Sequence, residues 1–241
     1  MTLYDAIKVR TSRRRYDGVP LPQAQSDMMA KRIAQYNAEA GLSMRLIRDA
    51  SAAFAGFRKS YGMFKGVCSV ILMAGPKADP DMREKLGYYG ELLVLEATTM
   101  GLGTCWVAGT FDKNSDAFAI PDSDEMACVI VIGGTQTDKG AMEKFIYRMA
   151  HRKSKSVEEM SRVGEPPPKW FIEGMRAVVA APSAINAQPV VVAFEDGVAS
   201  ASADGRMLDL GIAKAHFVLG ARDAGMRGHF AWGDGGQFIP D

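Results

Sequence analysis

Apolar and polar positions follow two different periods along this chain, and the change of period predicts both strands and helices. Two runs that are nearly all apolar, VCSVILMA at 67–74 and MACVIVI at 126–132, are typical of strands covered on both faces. A shorter strand is predicted at 43–48, and another, VVVAF, at 190–194. The glycine-rich stretch GLGTCWVAG at 101–109 predicts a turn that leads into a short extended segment.

Helical segments lie between these strands and carry recognisable ends. The first, at 2–10, has Thr2 as its N-cap and Asp5 in its first turn, where an acidic side chain is favoured. Two later helices end at Gly41 and Gly101, because glycine readily takes the left-handed conformation that closes a helix. These two helices are predicted at 23–40 and 84–100. Further helical segments are predicted at 141–151, from Ser156 with Glu159 as its capping-box partner, at 170–180 and at 207–224.

Three successive prolines in VGEPPPKW mark the clearest boundary in the sequence. We therefore predict a first domain at 1–163, a linker at 164–169 and a second domain at 170–241.

The two predicted domains share a faint repeat, because LVLEATTMGLG at 93–103 can be aligned with FVLGARDAGMR at 217–227. The second part then reads as a shortened copy of the first. Chance similarity between two apolar helices is the alternative explanation. The matched residues are Val94, Leu95, Ala97 and Gly101 in the first segment and Val218, Leu219, Ala221 and Gly225 in the second.

Composition narrows the class of protein. The 241 residues are 47% hydrophobic and 24% charged, which is ordinary for a soluble globular protein. The net charge of +1 argues against nucleic acid or an anionic membrane as the main partner, since both usually require a basic excess. No apolar run has the length of a membrane span, and the N-terminus lacks the apolar core of a signal peptide. We expect a cytoplasmic protein.

The cysteines and histidines favour neither a disulfide framework nor a metal site. The three cysteines form no CxxC motif and are odd in number, which indicates a reducing compartment. The three histidines show no HxxxH or HExxH spacing, so we predict no metal. The residues concerned are Cys68, Cys105, Cys128, His151, His216 and His229.

Three segments carry candidate chemistry, and the first is basic. Four arginines fall within the six residues 10–15, together with Thr11 and Ser12. A dianionic phosphate needs positive charge and several converging donors, and arginine forks with neighbouring hydroxyls supply both. A solvated basic patch at a helix end is the alternative interpretation.

The other two segments are loops. The stretch at 101–109 matches neither GxGxxG nor a Walker loop, so it is either a weak phosphate loop or a helix end with a tight connection. The stretch PSAINAQP at 182–189 brings a hydroxyl, the Asn186 carboxamide and backbone amides together, which suits the polar edge of a heteroaromatic cofactor. Its alternative role is to stop one helix and open the next strand.

Outside these segments, the sequence offers few candidates for a catalytic acid or base. Asp209 and His216 lie seven residues apart on one predicted helix, a spacing that is more often structural than catalytic. No nucleophile, metal cluster or carboxylate pair can be assembled, so we predict no catalytic side chain. If the protein is an enzyme, a cofactor carries its chemistry.

Together, the RTSRR arm, the GLGTCW turn and the PSAINAQP loop resemble the FMN-dependent nitroreductase family. The resemblance covers most of 2–160 and, in shortened form, 170–230. It implies an α+β fold with a central, mostly antiparallel sheet flanked by helices, and two unequal pseudo-repeats in one chain. It also implies FMN as the cofactor and NAD(P)H as the electron donor.

The order of the segments departs from that of the family, in which the Pro-Ser-Ala loop precedes the Gly-Leu-Gly-Thr turn. Family members are usually homodimers in which one subunit supplies the basic arm and its partner supplies the loop. Here the first part has the arm and the second part has the loop. We predict that this chain is a pseudo-dimer from a rearranged, internally duplicated branch of the family. It would be a monomer with one flavin, although further self-association stays open.

The resemblance assigns roles to individual residues. Arg10 and Ser12 would hold the FMN phosphate, with Thr11 contributing backbone, and Arg14 would lie toward the pyrimidine edge of the flavin. The remaining cofactor-binding residues implied are Arg152 and Lys153 near the phosphate, Ala108 and Gly109 along the ring, and Pro182, Ser183, Ala184 and Asn186 covering it.

The implied reaction is ping-pong hydride transfer from NAD(P)H through flavin N5 to a small-molecule acceptor, either a nitroaromatic compound or a quinone. Two alternatives stay open. The protein is a non-catalytic or degenerate flavin or nucleotide binder that has kept the fold, or a phosphate-binding module that uses only the arginine arm.

Overall fold

The computed structural model describes residues 1–55, 63–135 and 154–241. The predicted helix at 141–151 lies outside these residues. The described helices are α1 (Leu3–Val9), α2 (Gln23–Ala40), α3 (Ser51–Phe54), α4 (Met82–Thr99), α5 (Lys169–Val179) and α6 (Met207–Asp223). The described strands are β1 (Arg45–Ile47), β2 (Ser69–Pro76), β3 (Gly103–Val107), β4 (Asp124–Gly133), β5 (Ser161–Val163), β6 (Val191–Glu195), β7 (Val198–Ser202), β8 (Gly228–Phe230) and β9 (Gly236–Pro240).

The helices begin and end where the sequence places their caps. Thr2 and Asp5 cap α1 reciprocally, since the Asp5 amide donates to Thr2 Oγ1 at 3.1 Å and the Thr2 amide donates to Asp5 Oδ2 at 3.1 Å. Gly41 and Gly101 follow α2 and α4 with positive φ angles of 68° and 75°. Ser156 and Glu159 also bond reciprocally, but they open only a three-residue 3₁₀ turn.

The chain forms two compact units, and each is built from separated segments. The first combines Met1–Lys8, Arg83–Leu92 and the described residues from 154 onward, and the second combines the described parts of Val9–Met82 and Leu93–Arg148. This division by contacts differs from the sequence boundaries at 163 and 170. Those boundaries describe repeats along the sequence and stay a prediction.

The second unit holds a four-stranded antiparallel sheet in the order β1-β2-β4-β3. Strand β2 and the second part of β4, from Cys128 to Gly133, are buried on both faces, as their continuous apolar sequence predicts. Val70 and Val131 are paired in register and pack into a core with Phe54 and Phe111.

A buried polar contact joins α2 to the second half of α4 in this unit. The Tyr36 hydroxyl donates to Glu96 Oε1 at 2.8 Å, and Arg32 Nε lies 3.3 Å from the same oxygen. The other carboxyl oxygen of Glu96 is buried and has no hydrogen-bond partner among the described residues. Burial raises the pKa of the Glu96 carboxyl, although Tyr36 and Arg32 act in the opposite direction.

This burial predicts a pH dependence of stability. Because the folded-state pKa of Glu96 is raised, its contribution is fully present below the ordinary value of 4.5 and is lost as pH rises through the raised pKa. The unfolding free energy of the wild type, relative to Glu96→Gln, is therefore expected to fall as pH increases above 4.5. Urea denaturation of both proteins across this range measures the difference, and a difference that is constant with pH contradicts the prediction.

The first unit holds a five-stranded sheet in the order β5-β6-β7-β9-β8, in which only the β5–β6 pair is parallel. The mixed α+β class with mostly antiparallel strands is thus confirmed, with the strands divided between two sheets. Helices α5 and α6 pack on an aromatic core that includes Phe171, Phe194, Phe217, Phe230 and Phe238.

Two fully buried ionisable pairs connect the first half of α4 to α6. Lys214 Nζ donates to Glu84 Oε1 at 2.5 Å and to the carbonyls of Ala231 and Gly233, each at 2.9 Å. The other Glu84 oxygen accepts the Gly233 amide at 2.6 Å. His216 Nε2 lies 2.9 Å from Glu91 Oε1. These buried ionisable side chains are each hydrogen-bonded to a partner, which is the condition under which a folded protein tolerates such groups.

Candidate functional site

The basic arm runs along the free edge of strand β3. Ser12 forms a parallel bridge with Thr104, and the Arg13 amide donates to the Thr104 carbonyl at 2.8 Å. Strand β3 is the edge of its sheet, so its unpaired backbone groups are available to this segment. The arm and the GLGTCW stretch, about ninety residues apart, therefore lie side by side within one unit.

The arm is fixed on its other side as well. The Lys65 amide donates to the Arg14 carbonyl at 2.9 Å, and the Tyr16 amide donates to the Lys65 carbonyl at 2.9 Å. Arg13 Nη1 donates to Thr135 Oγ1 at 2.9 Å. Because successive residues of an extended chain project to opposite sides, Ser12 and Arg14 share the side opposite Arg13.

The arginines of the arm are partly buried. Arg10, Thr11, Ser12 and Arg14 all have intermediate exposure. Gly103, the first residue of β3, makes the close approach possible, since a methyl group there would overlap Thr135 and press on Arg13.

The far end of β3 leads into an exposed bend at Ala108 and Gly109. Within the part of the chain that the structure describes, a methyl group built on Gly109 meets no atom within 4 Å. One edge strand thus carries the arm beside its first half and an exposed, small-residue segment at its end.

The PSAIN loop lies in the other unit, between α5 and β6. Pro182 and Ser183 are half-buried, Ala184 is exposed, and Asn186 is half-buried in a short 3₁₀ turn. Arg152 and Lys153 lie outside the described residues.

Asp209 and His216 do not act together. Asp209 Oδ1 accepts the Ala184 amide of the loop at 3.1 Å, and burial raises the pKa of this carboxyl. His216 Nδ1 contacts the Ala177 carbonyl at 2.9 Å, in addition to its contact with Glu91. The seven-residue spacing therefore serves two separate structural contacts.

Sequence reasoning missed the residues that hold these segments. Thr104, Gln188 and Lys155 were visible only as members of longer motifs, and their roles depend on partners far along the chain.

Among the described residues, no group of three or more metal-binding side chains is assembled. Within the same residues, no helix combines the length and apolarity needed to cross a bilayer.

Comparisons with known proteins agree with this fold. A family model described as "Putative TM nitroreductase" matches residues 2–221. The structure of a protein described as a putative nitroreductase from Thermotoga maritima superposes with a TM-score of 0.66 and 22% identity, covering 100% of this chain and 93% of that chain. A comparison with curated proteins finds no match.

Two further solved structures align with little more than half of this chain. An FMN-dependent nitroreductase from Clostridium difficile has 21% identity and a TM-score of 0.45, covering 56% of this chain and 89% of its own. A nitroreductase with bound FMN from Bacteroides fragilis has 13% identity and a TM-score of 0.46, covering 58% and 91%. Because the family model matches nearly the whole length of this chain, the chain belongs to the putative TM nitroreductase family.

Proposed function

We propose that this protein is an FMN-dependent NAD(P)H oxidoreductase of the nitroreductase type. The observation that carries the proposal is the basic arm fixed beside β3, with the exposed Ala108–Gly109 segment at the end of the same strand, in a chain of this family. Bound FMN would supply the hydride-transfer chemistry that links NAD(P)H to an acceptor such as a nitroaromatic compound or a quinone.

The donor set of the arm fits the FMN phosphate. Arg10, Ser12 and Arg14 combine cationic forks with a hydroxyl on a backbone fixed by hydrogen bonds. Such charge-assisted donors are the groups that bind phosphate most strongly in proteins. Thr11 contributes its backbone, and Arg152 and Lys153 are proposed to add positive charge.

The remaining proposed contacts are with the ring. Ala108 has only a methyl side chain and Gly109 has none, and both lie on an exposed bend, which leaves their backbone accessible to a planar group. Pro182, Ser183, Ala184 and Asn186 are proposed to cover the ring. The chain supplies binding and orientation in this scheme, and no side chain is assigned as a catalytic acid or base.

The purified protein tests this function directly. We expect a yellow protein whose visible flavin absorbance is bleached by NAD(P)H in the absence of oxygen and recovers on addition of a quinone. Flavin that binds but is not bleached indicates the non-catalytic alternative. A protein with no affinity for FMN contradicts the proposal.

Arg10→Ala is expected to weaken FMN binding about 10- to 100-fold, because it removes a charge-assisted contact with the phosphate. Quenching of FMN fluorescence measures the dissociation constant. Arg162→Ala, which removes an exposed arginine from β5, is the matched control and should leave the affinity unchanged. Equal affinities of Arg10→Ala and the wild type for FMN would refute the phosphate role.

The pseudo-dimer proposal gains support from the backbone of the two aligned helices. Both α4 and α6 end in the same hydrogen-bond pattern, since the Leu102 amide donates to the Ala97 carbonyl at 3.0 Å and the Met226 amide donates to the Ala221 carbonyl at 2.9 Å. Each helix is followed by a positive-φ glycine and a short strand, β3 or β8. The alignment that pairs Gly101 with Gly225 therefore also pairs the hydrogen bonds at the two helix ends and the strands that follow them.

The contact between α6 and the first half of α4 is reciprocal. A methyl group on Gly87 would overlap the Leu208 carbonyl, and one on Gly211 would overlap the Glu84 carbonyl. The alignment pairs Gly87 with Gly211 and Glu84 with Leu208. Such exchange of partners is the signature of a two-fold interface between equivalent helices. It favours one chain that takes the place of a dimer.

Flavin stoichiometry tests the pseudo-dimer separately from the activity. We propose one FMN per chain, because the second part has no counterpart of the arginine arm. Absorbance after release of the flavin, compared with protein concentration from amino-acid analysis, gives the ratio. A ratio of two flavins per chain is incompatible with a single arm.

A further inference from the structure

The PSAIN loop has an unusual backbone for residues that are not glycine. Ile185, Asn186 and Gln188 have positive φ angles of 51°, 56° and 44°. A β-branched residue in this region is a genuine outlier, and such strain persists only where surrounding contacts impose it. The side chain of Ile185 is nevertheless 95% exposed, so its own packing does not supply those contacts.

Asp209 fixes the first part of the loop. It lies in the first turn of α6 and is 7% exposed, and its Oδ1 accepts the Ala184 amide at 3.1 Å. Ala184 immediately precedes the left-handed pair, so this bond constrains the chain where it enters the turn. Burial raises the pKa of the Asp209 carboxyl, against the lowering effects of Ala184 and Arg206, so this acceptor is held at an electrostatic cost.

Gln188 fixes the end of the loop. Its side chain is buried, with Nε2 donating to the Val179 carbonyl at 3.0 Å and Oε1 accepting the Lys155 amide at 2.7 Å. Lys155 Nζ donates to the Gln188 carbonyl at 2.9 Å, and the Gln188 amide donates to Ser183 Oγ at 2.9 Å. This end is held by four hydrogen bonds, one of which reaches Ser183 at the entry, and Asp209 supplies a further side-chain bond at the entry.

The space behind the loop is small. A cavity of about 10 Å³ lies between Pro182, Ser183, Gln188, Asp209 and Ala213. That volume holds at most a single water molecule. This cavity is therefore too small for a planar ring, whereas the outer side of the loop exposes Ile185.

We propose that Asp209 is a positioning residue, whose carboxylate holds the Ala184 amide and so fixes the left-handed turn that presents Ile185 and Asn186 to a bound planar ring. The identity of that ring as flavin rests on the proposed function. We call the hydrogen bond from the Ala184 amide to Asp209 the clamp. It lies within the loop and its support, so it can be measured in the protein without flavin.

Hydrogen–deuterium exchange of peptides covering 183–188 measures the clamp. In Asp209→Ala the exchange of the Ala184 region is expected to be about tenfold faster, as for loss of one hydrogen bond to a charged acceptor. Asp209→Asn keeps an acceptor oxygen and should restore nearly wild-type exchange. Glu165→Ala removes a comparable carboxylate bond to the Gly197 amide and serves as the matched control. Unchanged loop exchange in Asp209→Ala overturns the inference.

FMN affinity measures the consequence. Asp209→Ala is expected to weaken FMN binding about tenfold, and Asp209→Asn less than about twofold, because a loop that is fixed in advance loses less entropy on binding. Faster exchange with unchanged FMN affinity overturns the positioning role. If the wild type binds no FMN, the proposed function fails, and the exchange measurement still decides the clamp. Asp209→Glu, which displaces the acceptor by one methylene, replaces the alanine variant if that variant does not fold.

Discussion

Lys214→Met is expected to lower the free energy of unfolding by about 3–5 kcal/mol, the cost of leaving one member of a buried ion pair without its partner. Lys214 and Glu84 have fully buried side chains. The substitution keeps much of the side-chain volume but leaves the Glu84 carboxylate in the interior. It also removes the donor for the Ala231 and Gly233 carbonyls.

Urea denaturation measures this effect, and two variants show its origin. Lys8→Met breaks an ion pair with Asp5 at the surface, where the side chains of Lys8 and Asp5 are 59% and 51% exposed, and should cost far less than Lys214→Met. Adding Glu84→Gln to Lys214→Met removes the uncompensated charge and should recover part of the loss. A cost below about 1 kcal/mol for Lys214→Met would show that the pair is not buried in solution.

Gly211→Ala is expected to destabilise the protein by about 3 kcal/mol, the upper end of the cost of overpacking a core. The added methyl group would overlap the Glu84 carbonyl and lie 2.7 Å from the Tyr88 amide nitrogen. Both are backbone groups in a helix, so neither can turn away as a side chain would. The helices must separate, which also lengthens the bond between Lys214 and Glu84.

Gly164→Ala is the matched control, since its methyl group would lie 3.8 Å from Glu195 Cγ, an ordinary contact, and its φ is not positive. It is expected to change stability by less than about 0.5 kcal/mol. Thermal and urea unfolding of both variants provide the comparison. Equal stabilities for Gly211→Ala and Gly164→Ala would contradict the close helix contact and remove its support for pseudo-symmetry.

The local ends of helices were predictable because each depends on a few adjacent residues. The Thr2–Asp5 box and the glycines after α2 and α4 act over three or four positions, and the structure places the helix ends there. The strands β2 and β4 were also predictable, since a continuous apolar run needs no knowledge of its neighbours. The family membership followed from the three motifs taken together.

Strands β7, β8 and β9 were not predicted, because they are short and depend on pairing with one another and with β6. The same limit applies to the candidate site. The sequence shows that Arg14 belongs to a basic segment, but it does not show that the Arg14 carbonyl accepts a hydrogen bond from the Lys65 amide. Asp209 was noticed for its spacing from His216, whereas its contact is with Ala184, 25 residues earlier.

The interleaved segments of the two units have a consequence for synthesis on the ribosome. The first unit needs Met1–Lys8, Arg83–Leu92 and the C-terminal part of the chain, so its N-terminal segment must wait until nearly all residues have emerged. The second unit can assemble its sheet earlier, once β4 has left the exit tunnel. Long sequence separations slow folding and leave strand edges exposed meanwhile. We therefore expect the sheet of the second unit to form before the PSAIN loop, which belongs to the first unit, reaches its final structure.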